Sequence, residues 1–281
     1  MVAVRSMRAT DIDAGLRLCR LSGWNQTRRD WEQFLALNPG GACVAEYEGH
    51  VVGTVATVRY GSRFGWIGMV LVDPAFRGRG IGTRLLDHAL VLLSDMPLVR
   101  LDATPAGHDL YLTRQFVDEG LLNRVEAVAP VLPSSAPDGV RPMAERDLPQ
   151  VSALDEQAFG ADRGLMLQWM WQGAPEYAWV SHSGDRMTGY AMGRHGHAYE
   201  HAGPIVAGDD ETACRLIRAC LGASCTRPFV IDAPAGHPSW QRSLGAMGFR
   251  HQRSLLRMVK GRGHIPGDLA RQFAVLGPEF G

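Results

Sequence analysis

The stretch WIGMVLVDPAFRGRGIGTRLLDHALVLLSD, residues 66–95, decides how this chain is read. Residues 66–72 are an unbroken apolar run of strand length, which Asp73-Pro74 brings to an end. From Ile81 onward the apolar residues Ile81, Leu85, Leu86, Ala89, Leu92 and Leu93 recur at the spacing of a helix packed on a sheet. Between strand and helix lies Arg77-Gly78-Arg79-Gly80-Ile81-Gly82-Thr83. Strand, glycine-rich turn and helix is the order of parts that aims several backbone N–H groups at an anion. The glycines keep Cβ atoms away, the helix dipole adds partial positive charge, and the arginines neutralise what remains of a diphosphate. The turn lacks the Gly-Lys-Ser/Thr ending of a Walker A loop and the GxGxxG dinucleotide fingerprint.

Working outward, the chain repeats itself. RSMRATDI at 5–12 resembles RPMAERDL at 141–148, and VAEYEGHVVG at 44–53 resembles VSHSGDRMTG at 180–189, both offset by 136 residues. LDATPAGH at 101–108 resembles IDAPAGH at 231–237, and Phe116 answers Phe249. The second copy is shorter by about six residues in the interval where the first carries its glycine-rich turn, and residues 203–221 hold nothing like that turn. APVLPSSAPDG (129–139) reads as an extended linker, which divides the chain into units at 1–133 and 134–281.

Within the first copy the pattern predicts a strand at about 2–5 and a helix over 11–21 with Thr10 or Asp11 as its cap. A second helix follows near 27–37, then a hairpin turning at Glu48-Gly49. After the strand at 66–72 and the helix at 81–95 come a strand at 99–104, a helix at about 106–114 and a strand near 121–128.

After these residues a family resemblance can be stated. Arg77-x-x-Gly80-x-Gly82 behind an apolar strand resembles the cofactor motif of the GCN5-related N-acetyltransferases (GNAT). Thr104 to Tyr111 resembles that family's Asn-x-x-Ala-x-x-Leu-Tyr helix, with Thr104 for Asn, Gly107 for Ala and Gln115 for the Gly that precedes Phe116. The whole chain looks like two-domain bacterial members that end in a short helix and Gly-Pro-Glu-Phe-Gly.

The resemblance implies an α/β fold, a mixed and mostly antiparallel central sheet flanked by helices, present twice in tandem, with a degenerate second copy. It also implies acetyl-CoA as co-substrate, lying in a splay between the strands at 66–72 and 99–104. The main chain of Val70, Leu71 and Val72 would bond the pantetheine, residues Arg77, Gly78, Arg79, Gly80, Ile81, Gly82 and Thr83 would hold the diphosphate, and Thr104 stands in the asparagine's place. Tyr111 stands where the family's acid tyrosine stands, and a core tyrosine is its plainer reading.

Glu46, Asp73, Asp102 and His108 are candidate bases, but Asp102 and His108 have counterparts in the copy without the turn, which points to structural duties. Trp24 and Trp31, after the first helix, are the tryptophans expected to line an acceptor pocket.

The expected activity is acetyl transfer to an amine on a small molecule or a protein, without a metal. A non-catalytic acyl-CoA sensor is the alternative. Zero formal charge and no basic run speak against nucleic acid, and no apolar run long enough to span a bilayer appears. Five cysteines without a CxxC spacing speak against a disulfide framework or a zinc site and fit a reducing cytoplasmic setting.

Overall fold

A computed structural model describes residues 2–131, 138–223, 227–264 and 266–281. Most of the proline- and serine-rich linker, with the unit boundary placed within it, and Cys225 therefore lie outside the described residues. The first copy contains β1 (Ala3–Ser6), α1 (Ile12–Leu21), α2 (Arg28–Leu37), β2 (Ala42–Tyr47), β3 (His50–Tyr60), β4 (Phe64–Val72), α3 (Ile81–Leu92), β5 (Leu98–Ala103), α4 (Pro105–Leu112) and β6 (Val117–Ala127). The second contains β7 (Val140–Pro142), α5 (Leu148–Phe159), α6 (Gly164–Gly173), β8 (Trp179–Ser183), β9 (Arg186–Arg194), β10 (Glu200–Ala207), α7 (Asp210–Gly222), β11 (Phe229–Pro234), α8 (Pro238–Ala246), β12 (Arg250–Gly261) and β13 (Gln272–Ala274). The expected short terminal helix is one 3-10 turn, Leu269–Arg271, leading into β13.

The strands form one sheet in the order β1-β2-β3-β4-β5-β12-β6-β11-β10-β9-β8-β7. The fold is mixed α/β, mostly antiparallel and flanked by helices. The two copies exchange one long strand each: β12 lies between β5 and β6, and β6 lies between β12 and β11. The halves are thus interlocked. Neither could be lifted away without opening ladders on both sides of the exchanged strands.

The exchange explains the duplicated aspartates. Asp102 on β5 receives two hydrogen bonds, of 2.8 and 2.9 Å, from Arg257 on β12, and Asp232 on β11 receives two of 2.7 Å from Arg124 on β6. Each aspartate of one copy is matched by an arginine on the strand borrowed from the other. The side chains of all four are buried, so each pair also answers the cost of taking a charge out of water.

Each copy opens with the same local device. In the first, Asp11 accepts the Arg8 N–H and pairs with Arg5; in the second, Asp147 accepts the Ala144 N–H and pairs with Arg141. Asp11 thus closes the turn before α1 and does not cap the helix through its side chain. Among the described cysteines none is in a disulfide, and no described helix is long and apolar enough to cross a membrane.

Candidate active site

The parallel pairing of β4 with β5 covers only Gly65–Val99 and Trp66–Arg100, after which the strands diverge. A bulge helps: Met69 takes a left-handed φ of 57°, and the register of β4 against β3 shifts between Thr54 and Ala56. The gap opens into a cleft of about 750 Å³ lined by Val70, Leu71, Val72, Arg77, Gly78, Gly80, Ile81, Gly82, Thr83, Thr104 and Tyr111, with Trp24 and Arg253 at one side. The structure thus brings together nearly all the residues expected to bind cofactor. Arg79 stands apart from the lining, its guanidinium over the Phe76 ring.

The base of α3 is built to receive an anion. Gly80 occupies the cap position with φ 73°, a conformation strained for any side chain, and no side chain caps the helix. The first N–H groups of the helix have no intrahelical acceptors, and Gly80, Ile81, Gly82 and Thr83 line the cleft. A Cβ on Gly82 would meet Val72 and Leu110 only at 3.7 and 3.8 Å, so space there is not the constraint.

Tyr111, on α4, is buried and packs edge-on against Phe116, and its hydroxyl makes no hydrogen bond within the described residues. Burial pushes its phenol up to about 12, so it stays protonated far above neutral pH. Gln115 adopts φ 65°, the left-handed turn that the family's glycine would take without strain.

A small, partly open cavity of about 50 Å³ adjoins the cleft, lined among others by Trp24, Gln26, Asp102, Arg124, Arg253 and Glu279. Trp24, Val70, Thr104, Tyr111 and Arg253 line both spaces and so mark where they meet. Trp24 stands where the acceptor pocket was expected, but Trp31 does not line it. It is fully buried beside Phe34, with Gly15 close beneath its ring, because its position on α2 faces the core.

Of the four candidate bases only Asp102 reaches the cavity, and Arg257 holds both of its oxygens. Glu46 pairs with Arg5, Asp73 pairs with Arg17 and accepts the Ala75 N–H, and His108 bonds Asp118 at 2.8 Å.

The sequence reading missed Gln26, Arg124, Arg253 and Glu279. Arg253 reaches the cavity because β12 is exchanged, and Glu279 because the tail after β13 returns to β4. Trp66 donates to the Pro278 carbonyl at 3.0 Å, Tyr60 donates to that of Phe280, and Arg194 pairs with Glu279. Burial opposes ionisation of Glu279, yet Arg194 holds its carboxyl below the ordinary range.

The corresponding place in the second copy is filled. β10 pairs with β11 only at Glu200–Phe229 and His201–Val230 before the strands part, and β13 lies in the gap. It bonds antiparallel to β10 at Ile205–Ala274 and Val206–Gln272, while the Val275 N–H donates to the Asp232 carbonyl at 3.0 Å. Trp240 stands on α8 roughly as Tyr111 stands on α4, and its indole donates to the Phe273 carbonyl of β13 at 2.8 Å. The N-terminus of α7 is capped by Asp209, which accepts the Thr212 N–H at 2.7 Å.

Two family profiles match: the Acetyltransferase (GNAT) family over residues 14–113 and the Acetyltransferase (GNAT) domain over residues 151–274. The chain is similar to the uncharacterised N-acetyltransferase YitH of Bacillus subtilis, 26% identical over 235 residues, covering 83% of each chain. It is also similar to holothin acyltransferase of a Pseudoalteromonas species, 26% identical over 241 residues, covering 85% of this chain and 81% of that one. Among solved structures, a Pyrococcus horikoshii protein bearing an acetyltransferase label superposes with a TM-score of 0.83 at 22% identity, covering 99% of this chain and 95% of its own. The likeness of fold spans both copies.

Proposed function

From a chain that belongs to the acetyltransferase (GNAT) family in both halves and is an acyltransferase, we infer an N-acetyltransferase that uses acetyl-CoA in its first copy only. The single observation that carries this is the contrast between the two gaps: one is open and ends on an uncapped glycine-rich helix start, the other is closed by β13 and capped by Asp209.

In this reading the pantetheine lies along Val70, Leu71 and Val72 as an added strand, and residues 77–83 hold the diphosphate. The amine enters through the small cavity lined by Trp24. Its nitrogen attacks the thioester carbonyl carbon, a main-chain N–H at Val72 or its neighbour stabilises the oxyanion, and the carbon–sulfur bond breaks. The proton on the Tyr111 hydroxyl goes to the departing thiolate, the nitrogen gives one of its own to water, and the phenolate takes a proton back from solvent, so that Tyr111 ends as it began. The second half, residues 134–281, supplies wall and support and no second cofactor site.

Calorimetry of acetyl-CoA with the full chain and its Gly82→Asp variant tests the assignment. The parent is expected to bind one equivalent and the variant none measurable, because a carboxylate would face the diphosphate at a position with room for it. Two equivalents in the parent, or near-parental affinity in the variant, would overturn it.

A further inference from the structure

Charge is closely matched around the acceptor cavity, with one exception. Asp102 is held by Arg257, Arg124 by Asp232, and Glu279 by Arg194. The side chain of Arg253, the remaining cation of the lining, makes no hydrogen bond or ion pair within the described residues, and its Nε is buried without a partner. It lies directly opposite Arg124 in the β12–β6 ladder, an arrangement of like charges that costs stability in a sheet. Burial, and after it Arg124, pulls its pKa below the ordinary value, while Asp232 and Glu279 act from a distance in the other sense. A guanidinium in this setting gains from an anion that the protein itself does not supply.

Arg253 lines both the cavity and the cleft, so such an anion would sit beside the reacting thioester. The adjoining cavity, at about 50 Å³, admits a small group and nothing bulky. We propose that Arg253 is a specificity-determining residue that recognises a carboxylate carried by one of the two substrates, within a few bonds of the carbonyl under attack. The proposal deepens the transferase reading and rests on acetyl-CoA occupying the first cleft. An amine acceptor with a nearby carboxylate, as in an amino acid, satisfies it, and so does an acyl group that ends in one. Both offer Arg253 the same chemistry.

The probes are two thioether ligands in which the sulfur of CoA is joined through an acetyl spacer to glycine or to glycinamide. Calorimetry on the full chain needs no turnover and no knowledge of the natural acceptor. The glycine ligand is expected to bind roughly tenfold to a hundredfold more tightly than the amide, the range for a hydrogen bond between charged groups. Arg253→Ala should erase that gap, read as the ratio of the two affinities on the same variant, and Arg253→Lys should keep part of it. Since Arg253 holds no carboxylate of the protein, its removal strands none, and both variants are expected to fold.

Succinyl-CoA against butyryl-CoA forms the second arm. A preference for succinyl-CoA that Arg253→Ala abolishes would place the anion on the acyl group, and a gap confined to the glycine pair would place it on the acceptor. Absence of both gaps in the parent, or gaps that survive in Arg253→Ala, would overturn the proposal while acetyl-CoA binding still stood. Failure of acetyl-CoA itself to bind would instead bring down the reading of the cleft, and the proposal with it.

Discussion

The starts of α3 and α7 occupy equivalent places in two copies of one plan, and they have been finished in opposite ways. At α3 the cap position is a glycine with nothing to offer the helix, and the strands beside it stand open. At α7 the cap is Asp209, two further acidic residues follow in the first turn, and the open strands are joined by β13. An N-terminus that its own protein has satisfied has no N–H groups left for a ligand, and its carboxylates repel a phosphate. Even the tyrosine position follows this rule: Tyr111 has a hydroxyl without a partner among the described residues beside the open cleft, and Trp240 uses its indole to hold the strand that closes the other. What the copies still share is what holds the sheet together, namely the two exchanged strands and the two aspartate–arginine pairs across them.

The largest effect is expected from separating the copies. Residues 1–131 alone would keep Asp102 without Arg257 and β5 without the neighbour that covers its second edge. No cooperative unfolding transition is expected for that fragment by circular dichroism in denaturant. A sharp transition near that of the full chain would mean that each half completes its own sheet and that the exchange is dispensable.

Single substitutions at the pairs ask whether the copies are equivalent in energy. Arg257→Ala leaves the buried Asp102 carboxylate without its arginine, and Arg124→Ala leaves Asp232 with only His201 at 3.2 Å; the first is expected to cost about 3–5 kcal/mol of unfolding free energy and the second up to about that much. Urea unfolding measures both. A cost confined to one of the two would show that only one pair supports the sheet.

Tyr111→Phe and Trp240→Phe should part company. The first is expected to lower turnover by roughly 10²-fold with little change in stability or in acetyl-CoA affinity. The second leaves the Phe273 carbonyl without its donor, at about 1–3 kcal/mol of stability, and should not touch acetyl-CoA binding. Steady-state rates on an accepted amine, with calorimetry beside them, separate the two. Equal effects on rate would make Tyr111 a packing residue like its counterpart.

Much of this contrast is legible in the residues alone. Apolar runs and helical spacing place the strand and helix around residues 66–95, the internal match places the second copy, and the missing turn at 203–221 shows in its length. The exchange of β6 and β12 is not legible, because a strand's own pattern records which of its residues are covered and does not record which neighbour it pairs with. Arg253 and Glu279 stayed hidden for that reason, one on an exchanged strand and the other on a tail that returns over 200 residues to Trp66 and Tyr60. Trp31 misled because an aromatic residue on an amphipathic helix has the same local signature whether it faces a pocket or the core.

The smallest effect concerns the device that opens each copy. In Arg141–Asp147 the hydrogen bond from Arg141 holds the Asp147 carboxyl at about 2, below an unfolded value near 3.9. A carboxyl depressed in the folded state contributes stability above its unfolded pKa, and the contribution fades as pH falls from about 4 toward 2. Because Arg141 is well exposed, the pair is worth only about 1 kcal/mol at neutral pH. Arg141→Ala should therefore lower the unfolding free energy by that amount at pH 7 and by progressively less as pH is lowered toward 3. Asp11 is depressed in the same direction by Arg5, and Arg5→Ala should show the same sign, with a somewhat larger cost because Arg5 also pairs with Glu46. Urea midpoints at pH 7, 5 and 3 for the two variants and the parent test it. A cost that stayed constant with pH would mean that the arginines act through packing, and that the two copies begin alike in sequence without sharing the charge that makes them alike in structure.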